Sequence, residues 1–135
     1  MNMRTMKDLY RLMLRYPLSS LLVAVIWVIC LIPVPETPLS DVALIDKWTH
    51  IAMYFVLGLV LWAEYLFRHK RVCRQRVILM AWLAPVVMGG LIEFVQATCT
   101  GGTRSGDWLD FLANAMGCTL ALPIGILLAK CFAKW

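Results

Sequence analysis

Three groups of polar residues sit inside or against apolar stretches of this sequence, and their types and spacing can do chemistry. Asp46, His50 and Tyr54 are each four residues apart. On a helix they share one face, so Asp46 is placed to hold the His50 imidazole in one tautomer for acid/base work. Glu93 lies in the apolar run GGLIEFVQ, three residues before Gln96. A carboxylate set among apolar residues is disfavoured in its charged form, which suits a general acid. Asp107, Asp110 and Asn114 fall at i, i+3 and i+7, again one helical face, and Arg104 precedes them in Thr-Gly-Gly-Thr-Arg-Ser-Gly. Lys47 and Arg104 are cations suited to an anionic group, and Arg can grip it bidentately beside a helix N-terminus. Tyr54, Gln96, Asp110 and Asn114 offer neutral and acidic contacts around it. Asp107 is equally a natural N-cap for the helix that follows.

No GxSxG or HExxH pattern is present, and no Ser or Cys nucleophile lies among these residues. If reaction occurs, activated water is the expected nucleophile. His50, Glu93 and Asp110 have the donor types of a divalent-metal site, but their spacing follows no recognised metal motif, so no metal or other cofactor is expected. The loop at Arg104 lacks the P-loop consensus, which speaks against nucleotide hydrolysis.

The elements that must position these residues are membrane spans. Hydrophobic residues make up 61% of the 135 and charged ones 16%. A soluble globule of this size cannot hide that much apolar surface. Four stretches near the length of a spanning helix are visible: 18–34, 48–67, 77–98 and 108–130. The expected fold is therefore all-α, a four-transmembrane-helix bundle. Residues 1–17 form a basic arm, 18–34 a retained anchor rather than a cleaved signal, and 46–130 a three-span region holding the basic loop 68–76.

Of the 13 Lys and Arg residues, all but Lys47 and Arg104 lie in the N-terminal arm, the loop 68–76 or the C-terminal end. The positive-inside rule then puts both termini in the cytoplasm. The starts of the second and fourth spans and the end of the third fall on the outer side, so the three polar groups meet at one depth. A shared, inward-facing cavity open to the outside is expected, because charge facing lipid costs about 2.5–3.5 kcal/mol at mid-bilayer. The basic loop reads as a topology signal touching anionic headgroups, not as a nucleic-acid site. Ala113, Gly117, Ala121 and Gly125 recur every four residues, a stripe that lets a helix approach closely, with Gly89 and Gly90 the expected receivers. The same stripe permits a homo-oligomer. Glu64 reads as a surface residue snorkelling towards Arg68, and Cys30, Cys73, Cys99, Cys118 and Cys131 as free thiols.

Asp46-Lys47-Trp48-Thr49-His50, with Tyr54 and Leu57-Gly58, resembles the opening motif of the VanZ-like family. Glu93-Phe94-Val95-Gln96 resembles its intramembrane ExxQ motif. Arg104, Asp107, Asp110, Asn114 and Gly117 resemble its closing block, R-x-x-D-x-x-D-x-x-x-N-x-x-G. The resemblance runs from about Asp46 to Gly125. It implies a multi-pass protein of the bacterial cytoplasmic (inner) membrane with the motif residues in one extracytoplasmic site. The family is named for an accessory protein of teicoplanin resistance, although most members lie outside resistance clusters.

Three functions remain open on the sequence. One is a site that binds or modifies an amphipathic ligand: a lipid headgroup, a cell-wall lipid intermediate or a lipoglycopeptide such as teicoplanin, with a contribution to antibiotic resistance. The second is a hydrolase or transferase on a lipid-linked substrate, using His50, Asp46 and Glu93. The third is an assembly protein whose polar cluster specifies helix packing.

Overall fold

The computed structural model describes residues 2–32, 45–99, 101 and 108–135. These are helical, with no strand among them. Helix α1 is Met3–Arg15, α2 is Pro17–Leu31, α3 is Ile45–Arg68, α4 is Arg74–Cys99 and α5 is Trp108–Cys131. Helices α3, α4 and α5 are long and apolar enough to cross a membrane, and α1 with α2 makes a further candidate, bent by 105° at the break between them. The protein is thus a multi-pass membrane protein with three to four spans.

The N-terminal arm is a helix in its own right, which the count of basic residues does not reveal. Every residue of α1 is exposed within the protein. It stops at Tyr16 because Pro17 removes a backbone donor and disfavours helix at the residue before it; Pro17 then starts α2 at the first helical position, where Pro is tolerated. Helix α2 is 15 residues long, about 22 Å, and packs Ile26 and Cys30 into the core.

The small-residue stripe of α5 packs on α3, not on the third span as expected. A Cβ on Gly117 would run into the Ile51 carbonyl and the Phe55 amide, and one on Gly125 would enter the Trp62 ring. Gly58 of α3 meets Ala121 in the same seam. Gly89 and Gly90 instead leave room for Asn114 and Phe111. The reason is volume: Trp62 is fully buried with its ring against bare Gly125, and bare Gly117 lets the α3 backbone itself come close to α5.

Within α4 the ladder widens to a π turn at Leu79–Leu83, immediately before Pro85. Proline has no N–H to give and its ring crowds the preceding turn, and a π turn is one way a spanning helix absorbs this. Pro123 lies inside α5.

Glu64 overturns the surface reading. It is buried, and its carboxylate accepts from the Leu18 amide at 2.8 Å, the Ser19 amide at 3.1 Å and the Ser19 hydroxyl at 2.6 Å. Those amides are in the first turn of α2, which has no intrahelical acceptors for them. Glu64 therefore caps α2 from a neighbouring helix, with its charge at the positive end of the dipole. At the other end of α2, the Gln96 amide donates to the Cys30 carbonyl at 2.6 Å, an acceptor left over in the last turn.

The arm-proximal end is closed by contacts between the 68–76 loop and the C-terminus. The Val72 amide donates to the Lys134 carbonyl at 2.9 Å, the Lys134 ammonium donates to the Leu66 carbonyl, and Arg74 lies over the Trp135 ring at 4.7 Å. None of the five cysteines forms a disulfide, and Cys30 and Cys118 are buried.

Candidate functional site

The site lies at the other end, where α3 begins, α4 ends and α5 begins. His50 and Tyr54 face inward from α3, Glu93 and Gln96 from α4, Asp110 and Asn114 from α5, and all six are buried. The structure brings these residues of three helices together at one end of the bundle. Arg104 and Asp107 lie outside the described residues, as do 33–44, so the mouth of the expected cavity does too.

His50 is held through Nδ1. Its Nδ1 is 2.7 Å from the Asn114 Oδ1. A carboxamide oxygen only accepts, so Nδ1 carries the proton and donates, leaving a lone pair on Nε2. That Nε2 sits 3.8 Å from the Asp110 Oδ2. The other Asp110 oxygen, Oδ1, is 2.8 Å from the Lys47 ammonium. The structure thus corrects the pairing expected from spacing: Asp46 is exposed, and the group that hydrogen-bonds the imidazole is Asn114 of α5. The physical cause is the seam. Gly117 lets α5 approach until its carboxamide, one turn before, reaches the ring on α3. Spacing within one helix shows only which residues share a face, not which neighbour lies opposite.

Ligand atoms of His50, Glu93 and Asp110 lie within 4.8 Å of one another. One nitrogen and two carboxylates can hold a divalent ion, and an imidazole oriented by Asn114 is what such a ligand needs behind it. Lys47, however, already brings a positive charge onto Asp110. The set is better matched to proton handling and to a ligand's polar head than to a resident metal. Tyr54, one turn beyond His50 and fully buried, packs its Cβ where Gly117 is bare. Gln96 is committed to α2 through the Cys30 carbonyl, which makes it a tie between helices as well as a lining residue.

Fold and site together define a polytopic membrane protein with a buried acid/base cluster at one end of its bundle. The chain is similar to an uncharacterized protein of Schizosaccharomyces pombe, 34% identical over 94 residues, or 69% of this chain and 54% of the relative. The chain therefore spans about half the length of that relative. No family model matches, and no solved structure does.

Proposed function

We propose that this end of the bundle binds the polar head of an amphipathic membrane ligand, in the manner the resemblance to the VanZ-like family implies, with both termini cytoplasmic and the site on the extracytoplasmic side. The observation that carries the reading is the convergence of Lys47, His50, Glu93, Asp110 and Asn114 among apolar helices. Charged groups at that depth are costly, and such groups mark ligand or proton sites by default. The exposed apolar faces of α3, α4 and α5 offer a lipid-borne ligand a route along the bilayer. A relative in a fission yeast favours a phospholipid-like ligand, common to bacterial and fungal membranes, over a glycopeptide.

A second reading has support from one feature. The His50 Nε2, left open by the Nδ1 bond to Asn114, can serve as a general base, and water activated there would make the protein a hydrolase or transferase acting on a lipid-linked substrate.

Native mass spectrometry of the purified protein beside Lys47→Met and Asp46→Asn tests the binding reading. A lipid-sized adduct lost in Lys47→Met and kept in Asp46→Asn is expected. Equal retention by all three refutes it. Sidedness is read from native thiols, because Cys99 is exposed at the site end and Cys73 and Cys131 at the other. A membrane-impermeant maleimide applied outside intact cells labels Cys99 alone; labelling of Cys73 or Cys131 instead reverses the topology.

A further inference from the structure

The basic end of the bundle carries a groove that the site above does not use. Its apolar stretch, about 290 Å³, is bounded by Leu9 and Met13 of α1, Val23 of α2, Leu61 of α3 and Met80 of α4. It continues past Leu12, Tyr16 and Met80 into a second stretch of about 430 Å³, where Arg15, His69 and Arg76 stand at the edge. The lining changes from polar to apolar in the same direction along α2, α3 and α4. Along α2 the lining passes from Tyr16 through Ser19 to Val23; from the end of α3 inward it passes from His69 through Tyr65 to Leu61; along α4 it passes from Arg76 through Leu79 to Ala84. Charge lies at the end of the bundle and apolar side chains lie towards its middle.

Helix α1 forms one wall. At helical spacing, Met3, Met6, Leu9, Tyr10 and Met13 fall on one face, and Arg4, Lys7, Arg11 and Arg15 on the opposite one. A helix of this pattern, bent by 105° from the next, lies in the interfacial plane with its apolar face towards the acyl chains. The edge residues are held in register. The His69 Nδ1 donates to the Tyr65 carbonyl at 3.0 Å, so its Nε2 accepts from the Arg15 guanidinium at 3.4 Å. Arg68 lies over the Tyr16 ring at 5.9 Å.

We propose that this groove binds one anionic phospholipid, its phosphate between Arg15 and Arg76, with His69 orienting the Arg15 guanidinium, and one acyl chain along Leu9, Val23, Leu61 and Met80. The positive edge selects the headgroup's charge, the apolar stretch requires a chain, and their order matches the order of head and tail in a leaflet. The site is separate from the His50 cluster at the other end and stands whether or not that cluster binds a ligand.

The test is native mass spectrometry of the full-length protein in detergent supplied with phosphatidylglycerol or with phosphatidylcholine. The wild type is expected to retain one phosphatidylglycerol per chain in preference to phosphatidylcholine. The double variant Arg15→Gln/Arg76→Gln should lower that preference on the order of tenfold, from two basic residues near an anionic headgroup, and Arg15→Lys/Arg76→Lys should keep it. Leu9→Glu, on an exposed wall that carries no core packing, should expel the lipid without unfolding the bundle. Equal retention of the two lipids by the wild type, or an unchanged preference in Arg15→Gln/Arg76→Gln, overturns the proposal. Displacement of the lipid by excess inorganic phosphate overturns it as well, because the acyl chain would then contribute nothing.

Discussion

Replacing Glu64 separates the cap from the surface pair that the sequence suggests. In Glu64→Leu the amides of Leu18 and Ser19 lose their acceptor, while the Ser19 hydroxyl can turn to a backbone carbonyl. A buried amide without an acceptor costs about 1–3 kcal/mol; the Ser19 amide is buried and the Leu18 amide part-buried, so a loss of about 2–4 kcal/mol is expected. Glu64→Gln keeps one carbonyl oxygen for both amides. It removes the charge at the helix N-terminus and weakens two charge-assisted bonds, for a loss of about 1–2 kcal/mol. Arg68→Ala removes only an exposed guanidinium near the Tyr16 ring, about 0.5–1 kcal/mol. Equilibrium unfolding in mixed micelles, followed by helicity, should therefore rank Leu as most damaging, then Gln, then Arg68→Ala. A Glu64→Leu protein within about 0.5 kcal/mol of wild type, the scale of an ordinary surface change, or an Arg68→Ala protein as damaged as Glu64→Leu, refutes the cap.

Other expectations follow from the seam and the cluster. Gly117→Ala should destabilise by about 1–3 kcal/mol, because backbone of α3 stands where the methyl would go. Gly90→Ala meets only the edge of the Phe111 ring at 3.2 Å, and the helix-propensity gain of about 1 kcal/mol over Gly should leave it near neutral in the same unfolding measurement. Asn114→Ala should release the His50 tautomer, read as a shift of the imidazole nitrogen resonances from the Nδ1–H pattern towards a mixture, whereas Asp46→Asn should leave those resonances unmoved. If Lys47 supplies the positive charge of the cluster, chelator treatment should leave the ligand adduct unchanged in native mass spectrometry; loss of the adduct on chelation, restored by a divalent cation, would place a metal between His50, Glu93 and Asp110.

The sequence makes the helices and the depth of the site legible, and it leaves their partners undetermined. Apolar runs and basic loops identify spans because each is a local property of composition. The face shared by His50 and Tyr54, or by Asp110 and Asn114, is likewise local, being a matter of 3.6 residues per turn. Which helix meets the small-residue stripe is not local. Gly89 and Gly90 look as ready to receive it as Gly58 does, and the choice falls to α3 because the Trp62 ring fills the space that Gly125 leaves and the α3 backbone fills the space that Gly117 leaves. The role of Asp46 fails for the same reason, since the group opposite His50 comes from a helix 64 residues further on. Glu64 is misleading because four residues to Arg68 is a strong local signal, whereas its partners at Leu18 and Ser19 have no periodicity that links them to it. The helical character of residues 3–15 was present in the alternation of Met and Leu with Arg and Lys, but the count of charges for topology treats the arm as a tether.

Helix α2 explains why Glu64 and Gln96 are polar inside an otherwise apolar bundle. At 15 residues it is shorter than the roughly 20 that a spanning helix uses, so its end groups sit where water does not readily reach them. In lipid, leftover backbone donors and acceptors must find partners within the protein. A carboxylate meets the amide end and a carboxamide donor meets the carbonyl end, each matched to the sign of the dipole there. The Gln96 tie also fixes the end of α2 beside the His50 cluster, one helical turn from Glu93 on α4. Order at the basic end and order at the site are therefore coupled through one short helix. Loosening α2 at Ser19 or Glu64 should be felt at Gln96, although these residues share no contact with the His50 cluster itself.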